Sequence, residues 1–221
     1  MPKLFVGLIL VIVLAVAVLA MADASMSQFL TAFIALSALC VSVVTAFKED
    51  IFPFRPQVVL DELILAPPSN PPYENVGLLL PLSYVNVGHG AGVIEGMTLK
   101  VEGQGGVKVY TPVAEVDFQE FISGKRFLHA DNVLGAFNVF PLGSREAVRK
   151  YVLFTQELAS KRYPYSPWRP GKHVFRLFIK HSARSSPEQM AIVEYEISQD
   201  VLTGYMTGKG ASLAPGRELF V

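Results

Sequence analysis

The sequence predicts an N-terminal transmembrane helical hairpin followed by an antiparallel, all-β domain of the immunoglobulin-like sandwich kind, with a small β-barrel as the alternative. Two observations support this prediction. Two long apolar runs, residues 4–22 and 29–47, occupy the start of the chain. Beyond them, about seven or eight short segments rich in Val, Ile, Leu and aromatic residues alternate with Gly and Pro turn signals, without a long helical pattern.

The composition limits the classes of function. The chain has 221 residues, with 19 basic and 19 acidic side chains, so it shows no excess of positive charge for a nucleic-acid partner. Cys40 is the single cysteine and lies within the second apolar run, which excludes an intrachain disulfide. A blue-copper centre needs a cysteine ligand beside its histidines, and that position is too remote. We therefore predict no nucleic-acid partner and no cofactor.

The two apolar runs have the length of membrane spans, because about 19 residues at 1.5 Å each cover a hydrocarbon core of roughly 30 Å. The break between them is short, which favours an antiparallel hairpin over residues 1–47. Small residues at helical spacing would let the backbones approach closely. The candidate helix-packing residues are Gly7, Ala15, Ala22, Ala35, Ala38 and Ser42.

Positive charge predicts the orientation of this hairpin. Lys3, Lys48 and Arg55 flank it, whereas the connecting break has no Lys or Arg. Basic residues concentrate on the cytoplasmic side, so we expect a two-pass protein of the plasma (inner) membrane with both termini in the cytoplasm and the lipid bilayer as a partner. The alternative is a secretory signal that is cleaved near Ala22-Asp23-Ala24.

The rest of the chain divides into a juxtamembrane linker (48–56), the β-sandwich domain (57–200) and a Gly-rich C-terminal tail (201–221). Pro81 predicts an edge position or a bulge in its strand, and residues 117–131 suit a short helix or loop. The clearest strand is 172–181, where His173, Phe175, Leu177, Ile179 and His181 alternate with their neighbours. The other predicted strands are 57–65, 76–87, 93–102, 107–116, 136–142, 144–162 and 189–198.

One stretch carries a family resemblance. Residues 80–101 read LPLSYVNVGHGAGVIEGMTLKV, with the pattern N-x-G-x-G-x-G-x-I beginning at Asn86. This stretch resembles a segment of small bacterial membrane proteins of unknown function, in which N-terminal transmembrane helices precede an immunoglobulin-like sandwich. The resemblance implies architecture only, because the family has no agreed catalytic residues.

The sequence offers no catalytic or metal-ligating set. The glycines of residues 88–92 do not fit a phosphate loop, since a strand rather than a helix follows them, and we expect a turn with positive φ angles. The histidines His89, His129, His173 and His181 show no ligand spacing. On a straight strand, His173 and His181 would lie about 26 Å apart. There is no nucleophile-elbow serine, and the carboxylates have no evident pairing.

Aromatic and arginine side chains in the proline-rich loop 163–170 are typical of contact surfaces. The candidate contact residues are Tyr163, Tyr165, Trp168 and Arg169, although Trp168 could instead pack under the β domain. We therefore predict a non-enzymatic, membrane-anchored accessory subunit that contacts another membrane protein or a copy of itself. The alternative is a membrane-tethered domain that binds a ligand or a metal, in which His89 or His129 would take part.

Overall fold

The computed structural model describes residue 18 and residues 25–60, 62–66, 77–123, 133–156, 168–207, 211–214 and 217–220. The helices are α1 (Met26–Ala46), α2 (Lys48–Ile51), α3 (Phe118–Ser123) and α4 (Gln199–Met206). The strands are β1 (Pro56–Leu60), β2 (Leu63–Ala66), β3 (Gly77–Asn86), β4 (Gly92–Gly103), β5 (Gly106–Val116), β6 (Val133–Ala136), β7 (Phe140–Leu142), β8 (Ala147–Gln156), β9 (Gly171–His181), β10 (Arg184–Ile197), β11 (Ala211–Ala214) and β12 (Arg217–Phe220).

These strands form one antiparallel sheet in the order β10-β9-β4-β5-β8-β3, and β1 pairs with the free side of β3. Beyond β1, the same side of β3 pairs with β2, and β11 and β12 follow outward from β2. The short strands β6 and β7 attach to β5 and β4. Strand β1 then lies beside β10 without pairing with it, so the sheet is nearly closed and barrel-like.

The prediction of an antiparallel β domain is confirmed, and the sheet matches the small-barrel alternative. A sandwich would divide the strands between two sheets, whereas the described strands share one. Long strands with bulges curl a sheet, and register shifts occur in the pairings of β4, β5 and β10. Inward and outward residues alternate equally in sandwiches and barrels, so the sequence pattern alone could not separate them.

The barrel interior holds the main core. Strand β9 follows the predicted alternation, since Phe175, Leu177 and Ile179 are fully buried and their neighbours are not. A smaller core lies on the outer face of the sheet beneath α3 and consists of Ile64, Leu79, Ala114, Val116, Phe121 and Leu153. Phe118 extends this outer core by stacking on Tyr151, with ring centroids 4.2 Å apart.

The membrane predictions require correction. Within the part of the chain that the structure describes, no helix combines the length and the apolar character needed to cross a bilayer. Helix α1 (Met26–Ala46) covers residues 29–46 of the second predicted span, and it includes the polar residues Ser27, Gln28 and Thr31. This finding contradicts the two-pass plasma-membrane protein with transmembrane helices and cytoplasmic termini. The lipid bilayer as a partner stays a prediction. The first predicted span, 4–22, lies outside the described residues except for Val18.

The structure also revises two local expectations. Residues 199–214 contain α4 and β11, so the segment expected to be a Gly-rich tail contributes elements to the fold. Pro81 lies within β3, which pairs on both sides, so the edge-position alternative is wrong. It faces the break between β1 and β2, since Leu60 pairs with Leu82 and Ile64 pairs with Leu79. The missing N–H of Pro81 is therefore tolerated because the neighbouring strand is interrupted there.

Candidate functional site

The line where β1 and β10 meet without pairing is the most distinctive feature of the barrel, and a groove of about 880 Å³ lies along it. We call it the seam groove. One wall consists of residues 51–59, which lead from α2 into β1. The rest of the lining is Val87, Gly88, His181, Ala183, Arg184, Glu188, Gln189 and Met190.

The two strands that border the seam run in the same direction. Seven strands, β10-β9-β4-β5-β8-β3-β1, follow one another around the barrel, and every neighbouring pair is antiparallel. With an odd number of alternating strands, β1 and β10 run in the same direction. A strand added to either edge would run antiparallel to that edge and extend the alternating pattern.

The edge of β1 has backbone groups available for such a strand. The N–H of Val87 donates to the carbonyl of Arg55 at 3.1 Å, so Arg55 directs its backbone groups toward β3. Backbone groups alternate in direction along a strand, and the register of β1 with β3 is regular. Val58 and Leu60 therefore present their N–H and C=O groups to the seam.

Asn86 holds the wall of the groove against the barrel. Its side chain is fully buried, and its Oδ1 accepts hydrogen bonds from the backbone N–H groups of Arg55 at 3.1 Å and Gly88 at 3.0 Å. Its Nδ2 donates to the carbonyls of Gly90 at 2.8 Å and Gly143 at 2.7 Å. One amide thus ties the groove wall, the glycine turn and the loop after β7 together.

The glycines of this turn provide close approach rather than unusual backbone angles. A Cβ on Gly88 would lie 1.9 Å from the carbonyl oxygen of Pro53, and one on Gly92 would lie 2.3 Å from the ring of Phe54. Neither glycine has a positive φ, which corrects the expected turn geometry. The glycine pattern therefore lets residues 53–55 pack directly on the strand ends.

We expect Asn86→Ala to lower the free energy of unfolding by about 2–4 kcal/mol, because it leaves buried backbone donors and acceptors without partners. Urea unfolding followed by tryptophan fluorescence would measure the change. Asn138→Ala removes an exposed asparagine and is the matched control, with an expected change within about 0.5 kcal/mol. Equal losses in the two variants would contradict the role of Asn86 in holding the groove wall.

The groove lining has more basic than acidic side chains. Arg55 and Arg184 both line it, and Glu188 is the acidic side chain of the lining. Glu188 is shared, since its carboxylate lies 3.2 Å from Arg184 and 3.4 Å from Nε2 of His181. The ring of His181 packs edge-on against Phe54. An extended segment with apolar side chains and a carboxylate would complement this lining.

A second cluster of polar side chains lies at the opposite end of β9. We call it the Lys108 cluster, and it consists of Lys108, Tyr110, Trp168, Arg169 and His173. Lys108 is 1% exposed, and its Nζ has no hydrogen-bond partner in the described part of the structure. The ammonium group lies 5.4 Å from the ring centroid of Trp168. Burial lowers the pKa of Lys108, and the nearby charge of Arg169 lowers it further.

His173 completes this cluster without opening a ligand site. Burial lowers the pKa of His173; the charge of Lys108 also lowers it, and the hydrogen bond to the Arg169 carbonyl opposes the shift. That bond is 2.7 Å long and uses Nε2 as the donor, so Nδ1 is the unprotonated nitrogen of the neutral ring. A Cβ on Gly103 would lie 2.2 Å from Nδ1, so the glycine backbone occupies the space in front of it.

The predicted contact loop is only partly described. Trp168 packs on the barrel, because its Nε1 donates to the hydroxyl of Tyr110 at 2.9 Å and its ring contacts Phe175. Arg169 is exposed. Tyr163 and Tyr165 lie outside the described residues. Trp168 thus follows the alternative in which it packs under the β domain.

The candidate helix-packing residues and the histidines are also only partly described. Ala35, Ala38 and Ser42 are exposed on α1, and their packing role stays a prediction. Gly7, Ala15, Ala22 and His129 are outside the described residues. Among the residues described, no three His, Cys, Asp or Glu side chains come together in a way that could hold a metal ion. His173 and His181 lie at opposite ends of β9, as their spacing predicts.

Sequence reasoning missed the two most informative polar residues, Asn86 and Lys108. Asn86 stands two residues before the first glycine of the turn, a position that suits a side chain bonding to nearby backbone. Lys108 alternates in phase with the inward-facing Tyr110, which signals burial of a charged residue. The open seam had no local signal, because it depends on how distant strands pair.

The fold and the groove define the class of protein, which is an antiparallel, barrel-like β domain with one unpaired seam. Comparison with known proteins identifies no matching family model, no matching curated protein and no matching solved structure.

Proposed function

We propose that this chain is a non-enzymatic binding module, and that its seam groove accepts an extended segment of a partner protein as an added β-strand. The observation that supports this proposal is the pair of strands β1 and β10, which flank the groove, run in the same direction and leave one edge each unpaired in the described sheet. Unpaired edges are templates for strand addition, in which backbone hydrogen bonds supply affinity.

The ends of the seam restrict what can bind. Pro56 has no N–H to offer at the start of β1, and Pro187 interrupts the donors of β10 within the register shift between Arg184 and Glu188. Prolines and bulges protect edge strands from indiscriminate pairing. A ligand must therefore pair with the central groups of Val58 and Leu60, which favours a short segment of defined register over open-ended aggregation.

The lining defines the chemistry of the partner segment. Phe52, Val59 and Met190 offer apolar contacts, since Phe52 and Val59 are about half exposed, and Arg55 and Arg184 offer positive charge. Side chains of an added strand alternate between the two faces, so an apolar residue at every second position would face the apolar wall. A carboxylate at the edge of the groove would pair with an arginine.

Binding of synthetic peptides to the full-length chain tests the proposal. The probe alternates valine and threonine and carries one central glutamate, and the comparison peptide has lysine in its place. We expect the glutamate peptide to bind more tightly by about threefold to fivefold, as one partly exposed ion pair allows. Fluorescence anisotropy measures affinity, and hydrogen exchange should show protection of the amides of Val58 and Leu60.

Charge reversal supplies the matched variants. Arg184→Glu should remove or reverse the preference for the glutamate peptide, whereas Arg149→Glu, an exposed residue of β8 outside the groove, should leave it unchanged. The proposal fails if neither peptide binds at millimolar concentration. It also fails if binding protects amides elsewhere in the sheet and not those of β1.

A further inference from the structure

The Lys108 cluster lies at the rim of the barrel, at the opposite end of β9 from the seam groove. Lys108 is the third residue of β5, directly after the turn that joins β4 to β5, and Trp168 and Arg169 lead into β9. The side chain of Trp168 is half-buried and that of Arg169 is exposed. The ammonium group of Lys108 is therefore buried next to a ring that itself reaches the surface.

This ammonium group has no counter-ion among the residues that the structure describes. Lys108 is 1% exposed, and its Nζ lacks a hydrogen-bond partner there. The carboxylates on the strands nearby are paired with other cations. Glu102 lies 3.4 Å from Arg176, and Glu194 lies 2.9 Å from Lys172. A buried charge without a partner costs free energy, which the binding of an anion would recover.

A second positive charge lies close to Lys108. Burial lowers the pKa of Lys108 and the charge of Arg169 lowers it further, so the two cations repel each other. An anion near both would be attracted by both. His173 is not a ligand, because its Nε2 bonds to the carbonyl of Arg169 at 2.7 Å and the backbone of Gly103 occupies the space in front of its Nδ1.

We propose that the Lys108 cluster binds a small carboxylate that has an apolar or aromatic body. The carboxylate accepts hydrogen bonds from the ammonium of Lys108 and from the guanidinium of Arg169, whose shape suits a carboxylate. The body of the ligand packs against the ring of Trp168, whose centroid lies 5.4 Å from Nζ of Lys108. A single negative charge suits this buried position, because a divalent anion such as phosphate would lose more hydration on entering.

Trp168 makes the proposal directly measurable, because it is the single tryptophan of the chain. Since Nζ of Lys108 is buried, the ring of Trp168 has to turn aside as the ligand enters, and its fluorescence should change. The probe is benzoate at constant ionic strength, with benzamide as the uncharged compound of the same shape and inorganic phosphate as an anion without an apolar body. We expect saturable binding of benzoate to the full-length chain, at least about tenfold tighter than that of either comparison compound.

Three substitutions separate this site from general electrostatic effects. Lys108→Met should weaken benzoate binding at least about tenfold, and Arg169→Gln, at an exposed position, by about threefold or more. The control is Lys100→Met, because Nζ of Lys100 also contacts an aromatic ring, 5.0 Å from the centroid of Phe178, but lies outside the cluster. Lys100→Met should bind benzoate as the parent does.

Thermal unfolding gives a second readout that does not depend on the tryptophan. Benzoate should raise the melting temperature of the parent and leave that of Lys108→Met unchanged. The proposal is overturned if benzoate gives no saturable change, if benzamide binds equally well, or if Lys108→Met binds benzoate as tightly as the parent. The site is independent of the seam groove, so Lys108→Met should bind the glutamate peptide normally whichever result is obtained with benzoate.

Discussion

Gly88→Ala is expected to lower the free energy of unfolding by about 3 kcal/mol, because the added methyl group has no space. Its Cβ would lie 1.9 Å from the carbonyl oxygen of Pro53 and 3.1 Å from the backbone nitrogen of Arg55. Both neighbours are backbone atoms, which cannot turn away as a side chain can. For a chain of this length the melting temperature should fall by roughly 6–12 °C, as differential scanning calorimetry would show.

Substitutions at two other glycines are the controls for this prediction. A Cβ on Gly96 meets nothing within 4 Å, so Gly96→Ala should leave stability within about 0.5 kcal/mol of the parent. A Cβ on Gly92 would meet the ring of Phe54, which is a side chain, so Gly92→Ala should cost less than Gly88→Ala. If Gly88→Ala and Gly96→Ala prove equally stable, the direct packing of residues 53–55 on the glycine turn is refuted.

Gly88→Ala should also affect the groove, because residues 51–59 form one of its walls. Moving Pro53 away from Gly88 would displace that wall and the start of β1. Under conditions where Gly88→Ala is still folded, it should therefore bind the glutamate peptide more weakly than Gly96→Ala does. The glycine turn thus links the stability of the fold to the geometry of the proposed site.

The strands were the part of the fold that local pattern could predict. Alternation identified β9 from His173 to His181, and the predicted 107–116 strand became β5, Gly106–Val116. The predicted strand 144–162 became β8, Ala147–Gln156, and its Val152 and Phe154 fill the barrel interior. Along β9 one buried face sets a period of two, which the sequence records directly. In β5 and β8 the alternation is interrupted where three consecutive residues are buried.

What could not be predicted depends on contacts between distant parts of the chain. The choice of barrel over sandwich follows from the approach of β1 to β10, which no local period encodes. The glycine turn was assigned to backbone flexibility, whereas Gly88 is needed for its contact with Pro53. The aromatic loop was assigned to partner contacts, whereas Trp168 bonds to Tyr110 within the barrel. The sequence singled out these residues, but it did not show which residues they contact in the fold.

Lys108→Met is expected to raise the free energy of unfolding at pH 7 by about 1–2 kcal/mol. The native ammonium group is buried without a hydrogen-bond partner among the described residues, and methionine fills a similar volume without a charge. The loss of the contact between the ammonium and the ring of Trp168 offsets part of this gain. Chemical denaturation of both proteins would measure the difference.

The pH dependence of that difference identifies its cause. Burial lowers the pKa of Lys108 in the folded state, so between this value and about 10.4 the unfolded chain binds more protons than the folded one. The stability contributed by Lys108 therefore rises with pH across this window, and the advantage of Lys108→Met should shrink from pH 7 toward pH 9.5. His173 also has a lowered pKa, and its contribution falls below about pH 6.5, outside this window.

Lys150 is the matched control for Lys108, because it is a neighbouring-strand lysine that has a partner. Its Nζ lies 2.7 Å from the carboxylate of Glu115, with both side chains mostly buried. Lys150→Met should lower stability by about 1–2 kcal/mol, since it leaves Glu115 without its partner. Opposite signs for the two lysines would show that the unpaired charge, and not the loss of a lysine, sets the effect. A destabilised Lys108→Met protein would instead indicate that the ammonium group has a favourable role in the cluster.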